Sequence, residues 1–234
     1  MRSRPASYDH LMHPLIARLD TALAKNYPTL YEVLGPGSPK DDLDELEQLF
    51  GMPLPELYRE FLGWRGPNRA EDSEGDIHVS IFTLTTARRA IEELQMMRQL
   101  WAAEPGWREA VWWGEFYLPL MEHGGPVLVI DVMGETRLKG DEDSSDPFHS
   151  VPGQVMEFHH ADEFRDVHAP SLEVWLEALA ITFERKLVEE YTWDDESGRG
   201  AEVEVDEPFD EVLGELAPSY PRYLPVLHQP EEFW

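Results

Sequence analysis

Apolar residues change rhythm along this chain, and that change limits its fold more than any other feature. Leu11, Leu15, Leu19 and Leu23 recur every fourth residue, the spacing that gathers side chains on one face of an α-helix. Farther on, Tyr117–Leu120 and Val127–Asp131 are short apolar runs flanking Gly124-Gly125, a pattern that predicts an antiparallel hairpin. Gln154–Phe158 alternates polar and apolar residues, which predicts a third strand with one wet face. After a capping Ser171 the helical period returns, with Leu172, Trp175, Leu176, Leu179 and Phe183 turned inward. Helices in front, a small antiparallel sheet and a helix packed on it make an α+β fold.

Local signals fill in the elements between. Gly35-Pro36-Gly37 breaks the first helical region. Ser38-Pro39-Lys40-Asp41 then reads as a helix start: a capping serine, a proline at the first helical position and an acid three residues after the cap. Leu43, Leu46 and Phe50 form the buried stripe of that helix, and Gly51 closes it. A short helix buries Leu57, Phe61 and Leu62 and ends at Gly63 and Gly66. His78–Ile81 is a short strand, and Thr85-Thr86 caps a helix that runs to about Ala103.

Charge narrows the function classes. The 234 residues hold 47 acids against 19 basic residues, a formal net charge of −28. Phosphate neutralisation needs lysine and arginine, so a nucleic-acid partner is disfavoured, as is an anionic membrane surface. A surface this anionic is steered toward a basic partner, or serves solubility alone. The charge is also uneven: residues 189–234 carry 14 acids and two cations, together with Pro208, Pro218, Pro221, Pro225 and Pro230. Three segments are therefore expected: an N-terminal helical extension over 1–32, a single α+β domain over 33–188, and an acidic, proline-rich, mostly irregular extension over 189–234. Within that last stretch Phe209, Val212, Leu213 and Leu216 keep helical spacing. No apolar run approaches the ~18 residues of a membrane span, and no apolar signal segment follows Met1. With no cysteine, disulfides and thiolate metal sites are excluded, and a cytoplasmic address fits.

The motifs of catalysis do not form. Gly35-Pro36-Gly37 lacks the preceding strand and third glycine of a dinucleotide fingerprint, and no P-loop, Gly-x-Ser-x-Gly or His-Glu-x-x-His is present. Asp141-Glu142-Asp143 with Asp146 resembles half a calcium loop but lacks the turn glycine and terminal glutamate, so it reads as a solvated acidic loop. Glu157, His159, His160 and Asp162 would suit zinc by type, yet alternation sends His159 and His160 to opposite faces. The expectation is a non-enzymatic chain with no cofactor and no resident metal. Its eight tryptophans say more. Trp175 lies on an apolar stripe and reads as core. Trp64 ends a helix, while Trp112 and Trp113 are adjacent, so in an extended segment they face opposite ways and one can serve as an interface anchor.

An ordered set of motifs then resembles the SUKH superfamily, which includes fungal cell-wall-assembly regulators and bacterial immunity proteins. Its first half is matched by Gly35-Pro36-Gly37, Leu49-Phe50-Gly51, Leu54-Pro55, and Tyr58, Phe61, Trp64 and Gly66. Trp112-Trp113, Leu118-Pro119, Gly124-Gly125, Val129-Ile130-Asp131 and Gly153-Gln154-Val155 follow in the family's order, and Ala169-Pro170-Ser171 with Trp175-Leu176 resembles its final helix. The resemblance spans about residues 33–188 and departs from the pattern at Arg65, where the family often has asparagine or aspartate, and at Pro126, where it often has asparagine. It implies a SUKH-like single domain whose work is protein binding, as an immunity protein that blocks a basic toxin domain such as a nuclease. A cell-wall or signalling regulator is the alternative, and an acidic hydrolase or metal enzyme the reading from another class. Candidate partner-binding residues are Trp64, Trp112, Trp113, Asp131, Asp141, Glu142, Asp143 and Asp146.

Overall fold

A computed structural model describes residues 12–70, 73–103, 113–136, 151–159, 164–195 and 198–225. The leucine stripe becomes α1 (Pro14–Asn26), which buries Ile16, Leu19, Ala22 and Leu23. Then follow α2 (Pro28–Val33), β1 (Gly35–Pro36), α3 (Lys40–Phe50) and α4 (Glu56–Trp64). Leu43, Leu46 and Phe50 are the buried side of α3, and Gly51 closes it in the left-handed region, as expected. Ser38 does not cap α3, however. Its hydroxyl accepts the backbone N–H of Ala87 at 2.8 Å, so it satisfies the start of a different helix that tertiary packing brings alongside.

The sheet is larger than the sequence suggests. β2 (Arg65–Gly66) pairs only with β1. β3 (Asn68–Ala70), β4 (Ser73–Val79) and β5 (Phe82–Leu84) lead into the long α5 (Ala87–Ala103). β6 (Tyr117–Glu122) and β7 (Val127–Asp131) form the expected antiparallel hairpin, followed by β8 (Gln154–Phe158), β9 (Phe164–Ala169) and α6 (Leu172–Glu184). The remaining elements are β10 (Glu190–Asp195), β11 (Gly198–Glu204), α7 (Glu207–Leu216) and β12 (Arg222–Pro225). The strand order is β10-β11-β4-β5-β6-β7-β8-β9-β12, with β3 beside β5 on the same edge of β4. Every pairing is antiparallel except β11 with β4.

The fold is α+β, with the β7 strand inside the sheet. Two further expectations change. The stretch after 188 is not irregular: it supplies three strands and a helix, and Ala201, Val203, Phe209, Val212 and Leu213 join the same core as Leu19 and Leu23 of α1. The acids of β11 and α7 stay outside the core, and in β10 Glu190 turns to the inner side, where its carboxylate accepts the N–H of Leu30 at 2.6 Å, so their number did not prevent regular structure. The wet face assigned to β8 is also absent, because Gln154, Val155, Met156 and Phe158 are buried and only Glu157 reaches outward. Strand β7 is buried at all five positions, which requires cover on both faces of the sheet. Strand β4 instead alternates, with Gly75, Ile77 and Val79 buried and Glu74, Asp76 and His78 turned away from the core.

Candidate partner-binding site

Helix α5 buries Ala87, Ala90, Ile91, Leu94 and Met97, the spacing of one helical face. That leaves Arg89, Glu92, Glu93 and Met96 on a side that looks across at the β6–β7 turn. Gly124 has φ +56° and no atom faces it or Gly125 within van der Waals reach, so the turn stays narrow and the space beside it open. A groove of about 260 Å³ results, between α5 and the hairpin.

Its walls are charged. Glu122 is the hub: one oxygen accepts Arg89 Nε at 3.1 Å, and the other lies 3.6 Å from Arg69 Nη2. Arg89 also donates to Glu92 at 2.5 Å. These carboxylates, Glu122 first, hold the Arg89 guanidinium above its ordinary range. Burial in the groove pushes the Glu93 carboxyl up, only partly opposed by the Arg89 charge. A groove with carboxylates fixed around guanidinium groups is chemically suited to hold a further cationic group. Among the described residues no cluster of histidine and carboxylate is placed to bind a metal ion. Glu157 faces His168 at 3.8 Å, while His160 and Asp162 lie outside the described residues.

Those of the residues singled out from the sequence that are described do not converge there. Trp64 is half-buried against Phe61, and its indole N–H donates to Asp20 at 2.8 Å, fastening α4 to α1. Trp113 is 1% exposed, edge-on to Phe158 at 4.9 Å and to Tyr117 at 5.3 Å, so its ring is core rather than an anchor for a partner. Asp131 is wholly buried. Its Oδ1 accepts the N–H of Glu135, and its Oδ2 accepts both the N–H and the hydroxyl of Thr136, so it ties down the chain that leaves β7. Burial removes Trp113 and Asp131 from any contact surface, because both faces of the sheet are covered at this point. Trp112, Asp141, Glu142, Asp143 and Asp146 lie outside the described residues. The groove itself was signalled only by Gly124-Gly125. Its acids were indistinguishable, in a chain holding 47, from acids of any solvated face.

The model of the SMI1/KNR4 family (SUKH-1) matches residues 37–178. The chain belongs to this family. The SUKH-1 span runs from the approach to α3 into α6, and it contains the groove with Arg89, Glu93 and Glu122. At one departure from the family pattern, Arg65 stacks over the Tyr31 ring at 4.0 Å and donates to the Tyr31 carbonyl, anchoring the turn after α4 to α2. Strands β10 and β11, helix α7 and strand β12 follow the SUKH-1 span. No curated protein matches the chain in sequence. No helix among the described residues is long and apolar enough to cross a membrane.

Proposed function

We propose that this SUKH-1 chain is a non-enzymatic protein-binding domain that acts as an immunity protein, covering the active face of a basic toxin domain such as a nuclease. The observation that carries the reading is the formal charge of −28 on a chain that holds a SUKH-type domain. A nuclease needs a positive face to hold phosphates, and a partner of opposite field gains encounter rate from that face. The groove around Glu122 is consistent with it, since its carboxylates already organise guanidinium groups.

Where a toxin domain is encoded beside the gene, co-expression with it should restore growth to cells that the toxin alone arrests. With the purified pair, association should slow about ten-fold as the Debye length falls from roughly 30 to 8 Å, with dissociation changing far less. Failure to restore growth, together with an association rate indifferent to salt, leaves the regulatory reading in its place.

A further inference from the structure

The half of the sheet built by β3, β4, β10 and β11 has one face away from the core. Gly75 of β4 lies close against Val33 and Leu34 at the end of α2, which fixes the inward side as Gly75, Ile77 and Val79. By strand alternation and register, Tyr191 and Trp193 of β10, Glu202 of β11, and Glu74 and Asp76 of β4 all stand on the opposite side.

Tyr191 and Trp193 form an aromatic shelf on that face, with ring centroids 5.9 Å apart and planes tilted by 40°. Trp193 has a local explanation. It is paired with Gly200, and a Cβ at Gly200 would lie 2.1 Å from the indole ring, so the ring lies across the glycine and covers its backbone. Tyr191 has none. It is 65% exposed, the most exposed of the large apolar side chains among the described residues, and its cross-strand neighbour is the carboxylate-bearing Glu202. An exposed phenol ring tilted beside an indole, next to a half-exposed carboxylate, offers a π-face and an anion to the same visitor.

The charge of the face states which visitor. Glu74, Asp76 and Glu202 are joined across the strands by Glu122, and the face already holds a guanidinium of its own chain. Arg69 Nη2 lies 3.5 Å from Asp76 Oδ2 and 3.6 Å from Glu122 Oε1, and donates to the Thr83 hydroxyl. Among the described residues, Glu202 has one charge-bearing neighbour on this face, His78 at 3.4 Å. A guanidinium stacks on an aromatic face while its N–H fork reaches a carboxylate, which a compact ammonium does less well.

We propose that the Tyr191–Trp193 shelf with Glu202 and Glu74 is a docking surface for an arginine-bearing segment of a protein partner. The arginine stacks on Tyr191 and its fork pairs with Glu202. The proposal rests on the basic-partner reading and deepens it, because it names the side chain of that partner which docks; the two rings of the shelf follow the 37–178 span, and Glu74 lies within it.

Fluorescein-labelled hexa-arginine and hexa-lysine peptides, titrated into the full chain at low salt and followed by anisotropy, test it. The wild-type chain should bind hexa-arginine more tightly than hexa-lysine. Tyr191→Ala should weaken hexa-arginine binding about three- to five-fold and change hexa-lysine binding less than two-fold, while Tyr191→Phe, which keeps the ring, should restore wild-type affinity. Glu202→Gln should weaken hexa-arginine about two-fold. Because Tyr191 is largely exposed, its truncation should leave the melting temperature unchanged, and a melt of each variant verifies this. Peptide binding that ignores Tyr191→Ala and Glu202→Gln but weakens in Glu92→Gln or Glu93→Gln would move docking to the α5 groove, overturning the shelf and keeping the basic-partner reading. A wild-type chain that binds neither peptide would overturn both.

Discussion

The two halves of the sheet handle their carboxylates in opposite ways. Around β7 both faces are covered, and Asp131 points inward with three donors arranged about it. Around β4 one face turns away from the core, and Asp76 stands near the surface with a side chain 14% exposed, accepting the N–H groups of Ile77 and Leu84 through a single oxygen. The first acid acts as a fastener and the second helps define a charged surface. Acidic composition alone carries no such distinction; the number of covered faces does.

The largest effect that bears on this contrast comes from the segment that makes the open half. Ending the chain after Val188 removes β10, β11, α7 and β12, and uncovers Trp175 where Phe209 packs at 5.5 Å. Phe209, Val212 and Leu213 are each buried, and losing such side chains costs about 3 kcal/mol apiece against a total stability of about 5–15 kcal/mol. The truncated chain should lose its cooperative thermal transition by circular dichroism. A melt equal to that of the full chain would instead make the segment a dispensable appendage.

A pair of matched substitutions sharpens the comparison. Asp131→Ala takes the acceptor from the buried N–H of Thr136 and the part-buried N–H of Glu135, while the Thr136 hydroxyl keeps Tyr117, and should cost about 3 kcal/mol in urea unfolding. Asp76→Ala also removes the acceptor of two N–H groups, but water reaches its site, so the loss should be about 1 kcal/mol. Equal losses would break the link between coverage and cost.

The smallest effect is one of pH. Burial pushes the Asp76 carboxyl up despite its two N–H donors and the nearby Arg69 and His78 charges. The folded state therefore holds the proton more tightly than the unfolded one. Stability from this group is full below the ordinary carboxylate value of about 3.9, and is lost as pH rises through the raised folded value. Asp76→Asn keeps an oxygen for Ile77 and Leu84 and has no charge to desolvate. Relative to wild type it should melt about 1–2 °C higher at pH 7, and the gain should vanish near pH 4.

Much of this fold is legible in the sequence, for reasons that particular elements make plain. The stripes of α1, α3 and α6 and the apolar run of β7 follow from periodicity, because burial on one face or on both imposes the spacing directly. The Phe209, Val212 and Leu213 spacing gave α7 away even inside an acidic stretch. The wet face read for β8 and the cap read for Ser38 failed for a shared reason: each depends on what lies across from the residue in space. The same limit applied to the site. Trp113 and Trp193 look alike in sequence, each an indole in an extended segment, yet one is sealed between Tyr117 and Phe158 and the other lies over Gly200 beside a bare ring.

The sequence by itself determined the α+β class, the helical faces, the hairpin at Gly124-Gly125 and the strongly anionic character, all properties of residues close along the chain. Tertiary structure alone decided that β11 lies parallel to β4, and that the acidic final segment completes the core. It also decided that Asp131 is a buried tether while Glu202 faces outward beside Tyr191. A strand's partner, and the number of its faces that are covered, depend on contacts between residues far apart in sequence, which no local pattern records.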